Sequence, residues 1–291
     1  MMDSEREIRH LLLLAFGDNV ISLYLLDQIE GEKHIVGTDL TADVMEICGW
    51  GADLLLERPF SRIPAFYDAN KRGVLAALFD FWRMILFLIR IRARSVSFEK
   101  VDFRSSLLSR LLFLDAALPE WNTNIYFDRK RNLERVHSAS IDLHRPGTGS
   151  GGKRILINPT SRLQEKNIAP ADLRVIVDLL RRNGKEVVLI DYDGVYAGFE
   201  SRVDEYHTRT ALTKAAALLR EADFYIGADS FFVHLAYVFR KPFYIFFNRR
   251  NDYFMPPYCM ELGNYVVRPE IANEDLFLRK LEDDFGRLDL F

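Results

Sequence analysis

Short apolar runs alternate with amphipathic segments from the start of the chain. The run at 11–16 predicts a buried strand, and the segment at 19–29 behind Asp18 predicts a helix. The alternation continues, with further strands predicted at 34–37, 52–56 and 95–103 and helices at 42–48 and 105–114. Strands that alternate with helices in this way are typical of a parallel sheet covered by helices.

A second series of the same kind follows a segment rich in glycine and serine. Residues 137–154 read HSASIDLHRPGTGSGGKR, a composition typical of a linker, and we place a domain boundary near Ser150. Beyond it the pattern predicts strands at 154–158, 186–191, 224–227 and 243–247 and helices at 170–182, 212–220 and 231–239. We therefore expect two doubly wound α/β domains, 1–150 and 151–291, with a final amphipathic run at 273–288 that could pack back across the first.

Composition narrows the class of protein. With 291 residues, 49% of them hydrophobic, the chain is long enough for two domains of ordinary size. Its formal charge of -3 provides no overall positive field for nucleic acid, and the local basic cluster at 129–131 is interpreted as a solvated face. Cys48 and Cys259 lack the spacing of a disulfide framework or a zinc site, and the N-terminus lacks a secretory pattern, so we expect a cytoplasmic protein.

One apolar segment has two interpretations. VLAALFDFWRMILFLIRIRARS, from Val74, is interrupted by Asp80 and Arg83, which makes it too broken for a bilayer span. A helix that carries Trp82 beside arginines as far as Arg94 can lie on an anionic membrane surface. It can equally be a core helix whose basic end suits the helix dipole.

Three polar clusters follow predicted strands. They are Gly17-Asp18, NPTSRLQEK at 158–166, and Asp229-Ser230. In an open parallel sheet, ligands bind beyond the carboxyl ends of the strands, where helix N-termini direct partial positive charge. The clusters are therefore predicted sites for anions and sugars.

The first two clusters also have ordinary structural interpretations. Asp18 is either an N-cap behind a tight turn at Gly17 or a general base. Lys166 is either a solvated lysine or a ligand of a diphosphate, with Thr160 and Ser161 as further donors in the same loop.

The three groups of the third cluster indicate a binding site more strongly together than any one of them does alone. Asp229 and Ser230 alone fit a helix cap, and His234 alone fits a hydrogen-bonded core histidine. Because His234 follows Ser230 by one helical turn, the three groups are expected at the mouth of one crevice.

The motifs together resemble those of glycosyltransferase family 9, the heptosyltransferase group. ADFYIGADSFFVHLAYVFRKPFYIFF, at 222–247, resembles the family signature, in which a strand ends in Asp-Ser/Thr-Gly, a histidine follows, and a helix leads through Lys/Arg-Pro to the next strand. LLLLAFGDNVISLYLLDQI resembles the opening strand with its Gly-Asp turn, and INPTSRLQEKNIAP resembles the phosphate-contacting loop. The resemblance covers nearly the whole chain in the expected order.

This resemblance implies a GT-B enzyme made of two Rossmann-like domains that face a central cleft. The acceptor domain comes first and the nucleotide-sugar domain second. Residue by residue, Asp18 matches the catalytic base behind Gly17, and Lys166 matches the ligand of the donor phosphate. The donor-binding positions are matched by Thr160, Ser161, Asp229, Ser230 and His234.

The implied reaction is an inverting, metal-independent transfer. A heptose-like sugar moves from a nucleotide-diphosphate sugar, with ADP-heptose as the suspected type, to a bacterial surface glycan such as the lipopolysaccharide core. The implied enzyme needs no cofactor, because the nucleotide-sugar is a co-substrate. The composition, and not the resemblance, is the basis for expecting a cytoplasmic protein without a nucleic-acid partner. Peripheral contact with the inner membrane is the hypothesis that rests on the segment from Trp82 to Arg94.

Two departures from the family pattern leave other functions open. Phe231 stands where the family has glycine, and Asn248, Arg249 and Arg250 stand where the family often continues Phe-Gly-Pro-Thr. The alternatives are a non-catalytic relative that binds nucleotide-sugar or glycan, and a GT-B-like sugar-nucleotide epimerase.

Overall fold

The chain folds into two compact units, Met1–Asp142 and Leu143–Phe291. A computed structural model describes residues 8–13, 15–67, 72–98, 103–112, 114–117, 124–147, 151–249 and 251–291. The expected boundary at Ser150 lies outside the described residues. The segment before it packs with the second unit, because the Tyr237 hydroxyl donates to the His144 carbonyl at 2.9 Å and the Tyr258 hydroxyl to the Leu143 carbonyl at 3.3 Å.

The first unit is built on a five-stranded parallel sheet in the order β3-β2-β1-β4-β5. Its strands are β1 Ile8–Leu11, β2 Lys33–Val36, β3 Leu54–Glu57, β4 Ser95–Phe98 and β5 Asp115–Ala117. Its helices are α1 Phe16–Asp27, α2 Asp39–Cys48, α3 Val74–Arg90, α4 Phe103–Leu111 and α5 Ile125–His137.

The start of the chain differs from the prediction. Strand β1 occupies Ile8–Leu11 instead of 11–16, and α1 begins three residues before the predicted start. The strand is hard to find in the sequence because two of its four residues are polar. Arg9 pairs with Glu57 at 2.5 Å, and His10 stacks on His137.

The second unit is built on a six-stranded parallel sheet in the order β11-β10-β9-β6-β7-β8. Its strands are β6 Arg154–Asn158, β7 Glu186–Asp191, β8 Glu205–Thr208, β9 Phe224–Ala228, β10 Phe243–Phe247 and β11 Tyr265–Val267. Its helices are α6 Pro170–Arg182, α7 Leu212–Glu221, α8 Phe231–Val238, α9 Cys259–Leu262 and α10 Glu274–Arg287. Numbered from its own first strand, the order is the doubly wound 3-2-1-4-5-6 arrangement, whose switch point lies between β6 and β9.

Each unit buries its own apolar core. In the first, residues such as Val36, Met84 and Val96 pack between the sheet and α3. In the second, α10 contributes Phe277 and Phe285 to the core. This helix is the amphipathic run at 273–288, for which packing across the first unit was considered; its apolar face packs in the second unit. Among the described residues, no helix combines the length and apolar character needed to cross a bilayer.

Candidate functional site

The switch point of the second unit brings together two of the predicted polar clusters. Strands β6 and β9 are neighbours, so the loop 159–169 after β6 lies beside Asp229 and Ser230 after β9. At this point the adjoining helices lie on opposite faces of the sheet, which opens a crevice where ligands bind.

Lys166 and Asp229 form an ion pair across this crevice. The Lys166 Nζ lies 2.6 Å from Asp229 Oδ2, and the Ser161 hydroxyl donates to the Asp229 backbone carbonyl at 3.0 Å. The lysine side chain is 33% exposed and the aspartate side chain 14%. The ammonium is therefore held at the site and still open to a second anionic partner.

The loop that carries Lys166 is closed by its own hydrogen bonds. Ile168 N–H donates to the Pro159 carbonyl at 2.9 Å, and Ser161 N–H donates to Asn167 Oδ1 at 2.7 Å. The Asn248 amide, after β10, donates to the carbonyls of Glu165 at 2.7 Å and Asn167 at 3.0 Å. Asn248 thus fixes the loop, a role that the sequence did not reveal; its position directly after a strand was the available signal.

Thr160 supports the loop from beneath. It is buried, and its hydroxyl oxygen accepts from the Asn158 side-chain amide at 3.3 Å, while the same amide donates to the Ile190 carbonyl at 3.2 Å. The residue therefore links the loop to the ends of β6 and β7.

Helix α8 begins at the same edge of the sheet. Ser230 is its N-cap residue, with φ -146° and ψ 173°, but its side chain makes no capping hydrogen bond. Asp229 engages Lys166 instead. The interpretation of these two side chains as helix caps is therefore wrong, and the N-terminus of α8 keeps its partial positive charge facing the crevice.

Three buried hydroxyl oxygens around α8 have no hydrogen-bond partner among the described residues: those of Tyr192, Tyr225 and Ser230. The Tyr225 hydroxyl lies near that of Ser230 in an arrangement that misses hydrogen-bond geometry, and burial raises the pKa of both tyrosines well above its usual value. The phenols are therefore neutral. A Cβ on Gly227 would overlap the Tyr225 ring and hydroxyl, so β9 needs glycine there.

The remaining residues of the signature lie on α8. His234 is buried one turn after Ser230, and Phe231 is the first residue of the helix, with its ring centroid 4.4 Å from that of Phe232. The bulky position thus adjoins the helix N-terminus where the family pattern has glycine.

Asp18 lies within the first unit, in the first turn of α1. The N-cap is Ala15, and Gly17 is already helical, so the predicted turn at Gly17 and the N-cap role of Asp18 are both wrong. A carboxylate in the first turn is favoured by the helix dipole. The loop after β1 adjoins the β1–β4 switch point, which remains a suitable place for a substrate group.

Arg129 on α5 holds Asp18. Its Nη2 donates to Asp18 Oδ1 at 2.7 Å, and its Nη1 donates to the Asp18 carbonyl at 2.7 Å and to the Ser22 hydroxyl at 3.0 Å. Only 6% of the arginine side chain is exposed. The interpretation of the basic cluster at 129–131 as a solvated face is therefore wrong for Arg129. Because Oδ1 of Asp18 is hydrogen-bonded to Arg129, Oδ2 is the oxygen on which the carboxylate can still accept a proton.

The part of the chain that the structure describes contains no group of three or more His, Cys, Asp or Glu side chains placed to hold a metal ion.

Comparison with solved structures gives the fold of the whole chain. A glycosyl transferase of family 9 from Veillonella parvula is 13% identical, with a TM-score of 0.69 and coverage of 100% of this chain and 99% of that one. E. coli heptosyltransferase WaaC with ADP-2-deoxy-2-fluoro heptose is 13% identical, with a TM-score of 0.59 and coverage of 85% and 91%. UDP-GlcNAc 2-epimerase from Neisseria meningitidis bound to UDP-GlcNAc is 11% identical, with a TM-score of 0.55 and coverage of 97% and 93%.

No protein-family model and no curated protein matches the sequence. The structural similarity confirms the predicted α/β fold of two doubly wound GT-B units.

Proposed function

We propose that this protein is an inverting glycosyltransferase that moves a heptose-like sugar from a nucleotide-diphosphate sugar to a glycan of the bacterial cell surface, such as the lipopolysaccharide core. The observation that carries the proposal is the Lys166–Asp229 pair at the switch point of the second unit. An ammonium, a carboxylate and a helix N-terminus at one strand edge suit a ligand that combines a diphosphate with sugar hydroxyls. The transferases of this fold include one whose solved structure holds an ADP-heptose analogue.

The second unit is assigned to the donor. Lys166 and the N-terminus of α8 stabilise the charge that builds on the departing diphosphate. Asp229 accepts hydrogen bonds from the sugar and shares Lys166 with the phosphate. Further donors to the nucleotide-sugar are assigned to Thr160, Ser161, Ser230 and His234.

The first unit is assigned to the acceptor, with Asp18 as the base. Asp18 takes the proton of the acceptor hydroxyl, whose oxygen forms a bond to the anomeric carbon while the bond from that carbon to the phosphate oxygen breaks. The electron pair leaves with the nucleoside diphosphate, and the new glycosidic bond has the inverted configuration. Asp18 then loses its proton to solvent. The nucleotide-sugar, ADP-heptose-like in type, is a co-substrate, and the scheme calls for no metal or resident cofactor.

A glycolipid acceptor lies in the membrane, with its glycan at the membrane surface. We therefore propose that the protein works in the cytoplasm, against the inner face of the cell membrane.

The donor assignment is tested by calorimetric titration with ADP and ADP-heptose. Lys166→Gln removes the cation that faces the diphosphate, and we expect donor affinity to fall by about 10- to 100-fold, as for a lost hydrogen bond to a charged group of about 1.5–3 kcal/mol. Lys214→Gln, which removes a lysine from α7 in the same unit, is the matched control and is expected to bind as the wild type does.

The base assignment is tested by product analysis with lipopolysaccharide core acceptors. Asp18→Asn should lower turnover by about 10²- to 10⁴-fold with donor affinity unchanged, because general base catalysis contributes that much. Asp43→Asn, an exposed aspartate on α2, is the control. Arg129→Met should also slow turnover, since it releases the carboxylate from its fixed orientation.

Three results separate this proposal from its alternatives. Normal transfer by a folded Asp18→Asn variant removes Asp18 from the base role. Donor binding without product for any acceptor of the panel favours a non-catalytic binding protein, which Phe231 at the helix start makes the principal alternative. Donor turnover in the absence of acceptor indicates an epimerase.

A further inference from the structure

Helix α3 has an unusual distribution of apolar side chains. Its inner face places Met84, Ile85 and Leu88 in the core of the first unit. Seven of its large apolar side chains are more than half exposed, and six of them share the outer face, from 52% at Leu78 to 84% at Leu75; the others are Phe79, Trp82, Leu86 and Ile89. The seventh, Val74 at the start of the helix, lies outside this face. We call these six residues the outer stripe.

The outer stripe is continuous along the helix. At about 100° per residue, its members fall within an arc of about 100° and extend over most of a helix about 26 Å long. An aromatic side chain presents roughly 150–250 Å², and taking leucine and isoleucine at the lower end of that range, the stripe exposes on the order of 700 Å². The largest apolar patch on a typical monomer is about 300–600 Å², and larger ones mark interaction surfaces.

Positive charge lies along one edge of the stripe and beyond the C-terminal end of the helix. The segment 58–94 holds eight basic residues and two acidic residues, a formal charge of +6 within a chain whose total is -3. On a helical wheel that starts at Val74, the stripe spans about 40–140°, and Arg83 and Arg90 lie directly beside it at about 160–180°. Arg92 and Arg94 follow the helix end, and all four arginines are exposed. The one acidic residue of the helix, Asp80, is engaged away from the stripe, since its Oδ2 accepts from Ala65 N–H at 2.7 Å.

From this geometry we infer that α3 is an in-plane membrane anchor, which inserts the outer stripe into the surface of a bilayer rich in anionic phospholipid. Acyl chains accept the apolar arc, and phosphate headgroups pair with the arginines along its edge. In a dimer through this face, the apolar side chains of the two copies would cover each other, but the arginines of one copy would lie against those of the other and repel them. The charge therefore favours lipid. The inference does not rest on the proposed transferase activity, because it concerns binding alone.

Vesicle co-sedimentation of the full chain tests the anchor. We expect binding to vesicles of phosphatidylcholine with a quarter phosphatidylglycerol, weaker binding to pure phosphatidylcholine, and loss of the difference at high salt. A chain that retains Trp82 after Trp50→Phe and Trp121→Phe should shift its emission to shorter wavelength on binding and be quenched by lipids brominated near the headgroup end of the acyl chain.

Two sets of variants locate the binding surface. The triple variant Phe79→Gln, Trp82→Gln, Leu86→Gln should bind at least about 100-fold more weakly. Arg90→Gln with Arg94→Gln should cost roughly 30-fold at low salt, from about 1 kcal/mol for each basic residue near an anionic surface. The control is Val195→Gln, Met260→Gln, Leu276→Gln, which removes three exposed apolar side chains from the other unit and should bind as the wild type does.

The side chains substituted in the triple variant, the arginine variant and the control variant are exposed, so circular dichroism should show unchanged helix content in these three. Equal vesicle binding by the α3 variants and the control variant would overturn the anchor. So would wild-type protein that does not bind phosphatidylglycerol vesicles. A wild-type dimer in sedimentation equilibrium that the triple variant converts to a monomer, without vesicle binding, would assign the stripe to a second copy instead.

Discussion

At the scale of single residues, the sequence identified positions better than it identified partners. The types and spacing of Ser161, Lys166 and Asp229 led to the edge where the structure brings them together. Arg129 and Asn248 were not predicted as parts of either site, because their roles depend on contacts across 111 and more than 80 residues of sequence. The position of Asn248 directly after a strand indicated the correct edge of the sheet but not the loop that it contacts, and no local pattern identified the contact of Arg129.

The unpartnered hydroxyl of Tyr225 gives a prediction for one buried atom. A buried hydroxyl without a hydrogen bond is costly, so Tyr225→Phe should leave the free energy of unfolding unchanged or raise it by about 1 kcal/mol. Tyr196 is the matched control. Its hydroxyl donates to the Ile168 carbonyl at 2.5 Å, and Tyr196→Phe should lower the free energy of unfolding by about 1–2 kcal/mol. Urea denaturation measures both, and equal losses would mean that Tyr225 is hydrogen-bonded in solution.

At the scale of elements, the predictions succeeded where the periodicity was strong. Helix α6 and strands β7 and β10 occupy the predicted ranges, because each combines a clear apolar pattern with turn residues at both ends. Strands β5 and β11 are three residues long, which is too short for a period to be read. Helix α5 was missed because its sequence, IYFDRKRNLERVH, is mostly polar, although Tyr126, Arg129 and Leu133 are buried.

The packing of α5 on β1 predicts acid sensitivity. His137 at the helix end stacks on His10, with 5.0 Å between ring centroids and 3.0 Å between the two Nε2 atoms. Burial, together with the charges of His137 and Lys33, lowers the pKa of His10 to about 3, and burial also lowers that of His137. Two protonated rings could not share this contact, since both nitrogens would be donors.

The direction of the effect follows from these lowered pKa values. The unfolded chain, with histidine near 6.5, binds more protons than the folded chain as the pH falls from about 6.5 toward 3. The free energy of unfolding is therefore highest above about pH 6.5 and falls below that pH, by a few kcal/mol in total. Urea unfolding between pH 8 and 4.5 should show this loss, and His10→Phe should flatten it. The control Lys214→Gln, an exposed lysine of the second unit, should keep it; an unchanged slope in His10→Phe would contradict the assignment.

At the scale of the whole molecule, the sequence predicted two α/β units because the alternation of strands and helices occurs twice, with a linker composition between the series. Strand order did not follow from the same pattern. Strand order reverses where β1 pairs with β4 and where β6 pairs with β9. These pairings join strands that are far apart in the sequence, and they are decided by packing. The position of the candidate site was therefore predicted only as strand ends, and the sheet order makes it a switch point.

The second unit should fold when residues 143–291 are expressed alone. Among the described residues, one buried apolar cluster runs from Ile155 on β6 to Leu290 and consists of side chains of this unit. The Gly151 N–H donates to the Asp289 carbonyl at 2.8 Å, which joins the two ends of this segment. A core of this kind predicts a single cooperative urea transition, detected together by circular dichroism and tyrosine fluorescence. Because Tyr196 and Ile168 lie within the unit, Tyr196→Phe should lower the free energy of unfolding of the isolated unit by the same amount as that of the corresponding transition in the full chain. An isolated unit that binds a hydrophobic dye and unfolds gradually would show instead that its core depends on residues before 143.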